Sequence, residues 1–163
     1  MSGLGEFLDR PGLSGPFGAL MDEYARAAGE LCAVIEAVPP DLFPREAASG
    51  DPDVLSIRAI TIHVALSAHG YASTLRRARD LPSTQADRTP IESPAELRPR
   101  LAAALRYTEG ALDGLYEADE ATWTALRFEM SWGPTYDPEM LLEHAIVHLL
   151  RHRRQVERWP RER

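Results

Sequence analysis

Three of the five histidines in the sequence, His144, His148 and His152, recur at i, i+4 and i+8. On an α-helix each such step turns the face by only about 40°. The three imidazoles therefore share one stripe, and Gln155 falls on it too. Histidines four apart are neighbours on a helix surface, and two of them can grip one metal ion. Ile146 and Leu150 stand on the opposite side, flanked by Val147 and Leu149. A segment apolar nearly all round is expected to be buried on more than one side. Imidazoles in such surroundings need partners, because an unsatisfied buried polar group costs free energy. A site with two ligands from one helix needs a third from another, and His63 is the best candidate. It lies at one edge of the apolar face made by Ile57, Ile60, Val64, Tyr71 and Leu75. The same edge carries Ser56, Ala59, Ser67 and Gly70, small enough to leave room for an ion and a ligand. His69 projects well away from that face and is expected in solvent.

Rival metal signatures fail on inspection. The zincin motif needs glutamate directly after its first histidine, whereas here the run is His144-Ala145. Di-iron carboxylate bundles need Glu-x-x-His. The residues three before each histidine are Ile60, Leu66, Leu141, Ala145 and Leu149, none of them acidic. What remains is a histidine set with open coordination positions, suited to hydrolytic or Lewis-acid chemistry.

These residues need helices to position them, and the punctuation supplies four. The first spans about Pro16 to Val38, with Phe17, Leu20, Tyr24, Ala27, Ala28, Leu31 and Ile35 at helical spacing and Pro39-Pro40 as its stop. The second spans about Val54 to Asp80, with Asp51 or Asp53 as its expected cap. Ser93-Pro94 with Glu96 reads as a capping box opening the third, which runs to about Leu115. The stretch from Asp119 to Tyr136 is mixed, with a short helix at its start and a break at Gly133-Pro134. Its aromatics Phe128, Trp132 and Tyr136 stand just before the histidine helix and could wall its pocket or simply plug the bundle. Asp137-Pro138-Glu139 opens the fourth helix, which runs to about Trp159. No segment alternates at period two. The expected fold is all-α, an antiparallel four-helix bundle forming one domain over residues 1–163.

Composition narrows the partners. Eighteen basic residues against 25 acidic ones give a net charge of −7, a poor match to nucleic acid. All the basic residues are arginine. The single cysteine, Cys32, excludes an internal disulfide and a cysteine-only zinc site, and its apolar surroundings make it a core filler rather than a nucleophile. The opening MSGLGEFLDRPGL lacks a leader pattern, and no run reaches the roughly 18 apolar residues of a membrane span. The expected location is the cytoplasm, with no membrane partner. Ile146 and Leu150, opposite the histidines, suggest a homodimer. Arg151, Arg153, Arg154 and Arg158 crowd the last turns of the fourth helix, where they complement the helix dipole or recognise an anion.

The run His144-Ala145-Ile146-Val147-His148-Leu149-Leu150-Arg151-His152-Arg153-Arg154-Gln155 resembles the final-helix signature of the DinB/YfiT-like superfamily, roughly His-x3-His-x3-His-Arg-Gly-Gln. Ser56 to His63 similarly resembles its first-ligand helix, and the segment order matches from about Ser14 to Trp159. The resemblance implies a four-helix bundle holding a divalent ion, zinc or nickel by ligand type, on His63, His148 and His152. It places His144 beside the site rather than on the ion. Arg154 departs from the glycine of many members, away from the histidine stripe. Some members of that superfamily are S-transferases using a low-molecular-weight thiol such as bacillithiol, mycothiol or glutathione, and one branch is a thiol-dependent maleylpyruvate isomerase. The implied partners are a small-molecule substrate and a thiol. The alternatives are a non-catalytic metal- or ligand-binding module and a bundle that serves only in dimerisation.

Overall fold

Capping residues set where each long helix begins. The structure, a computed structural model, describes residues 4–8, 13–47 and 50–159. Residues 1–3 and 9–12, part of the stretch read for a leader, lie outside the described residues. A short helix α1 (Gly5–Leu8) precedes α2 (Gly15–Glu36), which starts at Ser14-Gly15-Pro16. The second long helix, α3 (Ile57–Ala78), is not capped by either aspartate expected for it. Ser56 is its cap, its hydroxyl accepting from the Ala59 N–H at 3.0 Å. Asp51 instead accepts from the Asp53 N–H and opens a separate 3-10 turn, Pro52–Val54. The segment carries two start signals in succession, and the helix obeys the second. A 3-10 turn (Pro94–Glu96) leads into α4 (Leu97–Leu112), with Glu96 accepting from the Ser93 N–H at 2.8 Å as in a capping box. Then come α5 (Glu120–Thr124), the strands β1 (Phe128–Glu129) and β2 (Thr135–Tyr136), and α6 (Pro138–Glu157). The two strands pair antiparallel around Gly133, whose φ of +109° suits only glycine. Strands of two residues are too short to leave a period-two signature.

The four long helices form one bundle around a shared apolar core. Helix α2 packs on α6 and α4, and α3 packs on α4 and α6. Phe17, Leu31 and Ile35 from α2, Ile60 and Leu75 from α3, Leu101 and Leu105 from α4, and Leu141 and Leu149 from α6 are buried together. The helix directions do not simply alternate. Arg58 at the start of α3 donates to the Ile91 carbonyl at 2.8 Å, just before α4, while Arg79 at its end donates to the Asp113 carbonyl at 2.9 Å, just after α4. Those two helices run parallel. So do α2 and α6, linked late in each by Glu30 and Arg153. By contrast α2 and α4 run antiparallel, the end of one meeting the start of the other through a bidentate Glu36–Arg98 pair at 2.8 and 2.9 Å. Helices α3 and α6 are antiparallel too, with His63 beside His148 and His152, and Tyr71 beside His144. The long connections after α3 and α4 are crossovers, which free neighbouring helices from the antiparallel order that short loops impose.

Cys32 is fully buried, and burial pushes its thiol up to about 12, so it is filler. Ile146 and Leu150 are half-buried and pack against the chain's own core, while Val147 turns outward at 60% exposure. No helix among the described residues is long and apolar enough to cross a membrane.

Asp137 ties the start of α6 to the hairpin. Its buried carboxylate accepts from the Met140 N–H at 2.9 Å and pairs with Arg127 at 3.2 Å. Replacing Asp137 with alanine is expected to lower stability by about 1–2 kcal/mol, the usual cost of a lost N-cap. Urea denaturation checks it, and an unchanged midpoint would show that the cap contributes nothing.

Candidate metal centre

Helices α3 and α6 bring three imidazoles to one point. His63 Nε2 lies 3.0 Å from His148 Nε2, and His152 Nε2 lies 3.2 Å from the same atom. One nitrogen from each of the three sits within 4.8 Å of the others. For a tetrahedral ion with metal–nitrogen bonds of about 2.0–2.1 Å, ligand nitrogens stand about 3.3–3.4 Å apart. Both contacts to His148 Nε2 are within a few tenths of an ångström of that spacing. His152 is buried, and His63 and His148 are partly exposed, so the point of convergence opens outward.

Proton placement fits a cation. His152 Nδ1 stands 3.0 Å from Gln155 Oε1, an acceptor, so the proton is on Nδ1 and Nε2 presents its lone pair to the cluster. His63 Nδ1 faces Asp53 Oδ2 at 3.7 Å, which favours the same tautomer. His148 Nδ1 is buried without a hydrogen-bond partner, so no neighbour sets its tautomer, and an ion on Nε2 would leave its N–H unpaired. A donor on His148 Nε2 could satisfy only one of the two lone pairs aimed at it. One cation at the centre satisfies all three nitrogens.

Burial also disfavours the protonated forms of His148 and His152. Burial, reinforced by His152, His63 and His144, pushes His148 down to about 3. Burial lowers His152 as well, against the opposing pull of the Gln155 hydrogen bond. Metal ligation needs neutral imidazole, and His148 and His152 keep that form below the usual histidine range.

Two clefts open on the centre. One, of about 540 Å³, is bounded by Asp51, Asp53, Arg151, Arg154 and Arg158 around His63, His148 and His152. The other, of about 580 Å³, has a floor of small residues, Ser67 and Gly70, between Tyr71 and Trp132, and reaches His63 and His148. Small residues on the His63 edge of α3 thus leave room as their size suggests. Trp132, carried by the hairpin, is half-exposed and meets Tyr71 edge-on at 6.1 Å. Phe128 packs against the core, so of the pre-helix aromatics it is Trp132 that lines the cleft.

The remaining histidines stand apart. His144 hydrogen-bonds no nitrogen of the cluster. Its Nδ1 faces the Tyr136 hydroxyl at 3.3 Å, and its ring stacks on Trp132 at 5.1 Å. His69 is not free in solvent as its helical angle suggests. It stacks on Tyr107 at 4.6 Å, and its Nε2 donates to the Thr84 carbonyl at 3.0 Å. The crossover loop after α3 folds back over that face, which helical periodicity does not foresee. Arg154 also differs from expectation, because it lines the first cleft instead of standing clear of the histidines. Asp53 was legible only as a possible cap, and its place beside His63 has no periodic signal.

A family model described as the DinB family matches residues 14–162. No curated protein and no solved structure matches.

In the metal-free protein the lowered imidazoles make stability depend on pH with a definite sign. The unfolded chain takes up protons on these histidines near 6.5, and the folded chain takes up the His148 proton only near 3. Their contribution is therefore complete above about pH 6.5 and is lost progressively as pH falls through that window. His148→Gln is expected to flatten the fall in urea midpoint between about pH 6.5 and 4. An equally steep fall in the variant would contradict it.

Proposed function

The chain belongs to the DinB family, and from that membership and the three converging imidazoles we propose that it is a metal-dependent enzyme transferring a low-molecular-weight thiol to a carbon electrophile. His63, His148 and His152 hold one divalent ion, zinc or nickel by the imidazole-only ligand set. Such an ion, when bound, supplies Lewis acidity and holds an added thiol as its thiolate, the nucleophilic form. The chain's own residues do the rest. Gln155 and Asp53 orient His152 and His63 and keep their protons on Nδ1. Tyr71 and Trp132 offer apolar faces on which an electrophile can settle beside the centre. The Tyr136 hydroxyl and His144 form a polar pair at the edge of that aromatic group. Cys32, buried in the core and lining neither cleft, takes no part.

The convergence of three Nε2 atoms from two helices is the observation that carries this reading. Its alternative, a metal-binding module without turnover, shares the metal and lacks the transfer, so the two are separated by activity alone.

Two measurements test it. Elemental analysis after metal loading is expected to give about one ion per chain, and His63→Ala, His148→Ala and His152→Ala each to abolish tight binding. His144→Ala and His69→Ala are expected to keep it, since neither presents a nitrogen to the cluster. A wild type that binds no ion under metal-replete conditions overturns the metal reading. At a free ion concentration 100 times its dissociation constant, binding stabilises the fold by about 2.7 kcal/mol, readable as a raised Tm. Thiol consumption with a panel of carbon electrophiles is expected from the loaded wild type and from Cys32→Ala, and not from His148→Ala. Metal uptake without thiol consumption overturns the transferase reading and favours the binding module.

A further inference from the structure

The arginines of α6 divide into two kinds. Arg153 pairs with Glu30 of α2 and with Glu157 at 3.5 Å. Elsewhere Arg26, Arg45, Arg58, Arg98, Arg100 and Arg127 also face carboxylates. Arg151, Arg154 and Arg158 have no hydrogen-bond or ion-pair partner among the described residues, although the chain carries 25 acidic side chains. Their spacing of i, i+3 and i+7 puts all three on one face. That face borders the cleft that exposes His148 and His152.

The helix dipole explains part of this arrangement and not the rest. Arg154 and Arg158 lie at the C-terminal end of α6, where cations are favoured. Arg151 lies six residues before the end of the helix at Glu157, beyond the last turn in which that effect acts. It lines the cleft that opens on His63, His148 and His152. The acidic residues of the same cleft are already engaged. Asp51 accepts from the Asp53 N–H at 3.0 Å, and Asp53 stands 3.7 Å from His63 Nδ1. Three cations against two carboxylates leave the cleft with one positive charge in excess. A guanidinium fork matches a carboxylate bidentately, and in the ion-free cleft one excess charge matches a monoanion better than a polyanion. The aromatic cleft between Tyr71 and Trp132 adjoins this one across His63 and His148.

We propose that Arg151, Arg154 and Arg158 form a carboxylate-binding subsite beside the three-histidine centre, and that its ligand is a small monocarboxylate with a planar apolar end seated against Tyr71 and Trp132. The significance of the position rests on the metal reading, whereas the binding itself does not require the ion.

The probes are 3-phenylpropionate, its neutral amide and inorganic phosphate, titrated calorimetrically into the full chain as purified and again after chelation. The acid is expected to bind at least about tenfold more tightly than the amide, the scale of a charge-assisted hydrogen bond, before and after chelation. Arg151→Gln with Arg154→Gln is expected to remove that preference, as is Arg158→Gln in part, while Arg26→Gln, which lines neither cleft, keeps it. All four positions are exposed, so folding is expected to survive, and matched thermal melts verify it. Trp132→Ala is expected to weaken acid and amide alike. Equal binding of acid and amide overturns the proposal, and so does an acid preference that persists in the Arg151/Arg154 variant. A preference that vanishes on chelation assigns the carboxylate to the ion instead of the arginines. Tighter binding of phosphate than of the acid overturns the carboxylate assignment. Because the chelated protein is titrated directly, failure of metal binding and failure of carboxylate binding are separate results.

Discussion

Three imidazole nitrogens that meet with their lone pairs inward cannot satisfy one another, and this constraint organises the rest of the molecule. Hydrogen bonds alone would leave at least one nitrogen of the cluster without a donor, at a cost set by its burial. The fold nevertheless holds them at 3.0 and 3.2 Å. It does so because the residues that fasten α3 to α6 alternate with those that form the centre. Ile60 and Val64 bracket His63 on α3, and Ala145 and Leu149 stand next to His144 and His148 on α6. Each is buried in the common core. The apolar packing that fixes the helix crossing therefore also fixes the nitrogen spacing, and neither can shift without the other.

That coupling accounts for what the sequence makes legible. The i, i+4, i+8 stripe, the small edge beside His63 and the proline-led helix starts at Pro16, Pro94 and Pro138 are local signals, and local geometry preserves them. What depends on chain direction is not local. Nothing in the residues of α3 or α4 states that the two run parallel, because that follows from a crossover of some fifteen residues and from the Arg58 and Arg79 bonds at its two ends. His69 shows the same limit. Its helical angle points away from the core, yet the returning loop and Tyr107 cover it. Asp53 is a third case, since a carboxylate in a loop of prolines and glycine shortly before a helix reads as a cap until the turn around it is known to be 3-10.

The mixed segment between α4 and α6 gains a meaning from the same geometry. Its hairpin is small, with two residues per strand, and such a ribbon is marginal alone. It is anchored at both ends, by Met130 in the core and by Asp137, which caps α6 and holds Arg127. The tip between those anchors presents Trp132 to Tyr71 and His144. An exposed indole at the tip of a ribbon costs little to reposition, whereas the histidines are set in rigid helices. The arrangement separates a half that carries the three-histidine cluster on packed helices from a half that carries Trp132 on an exposed turn.

Charge follows this division as well. The bundle's outer ion pairs, Glu36 with Arg98 and Glu30 with Arg153, join neighbouring helices at the surface, where such pairs contribute at most about 1 kcal/mol each. They place opposite charges together and leave little net field. Around the centre the pattern reverses, with three guanidiniums unpaired on one wall and two carboxylates occupied by the 3-10 turn and by His63. Removing a surface pair costs little stability, so an acidic chain could easily have supplied partners for Arg151, Arg154 and Arg158. Their lack of partners is a local excess of positive charge held next to a cluster that is itself suited to a cation. Like charges gathered in one cleft repel each other, and an anion seated among them would relieve that repulsion.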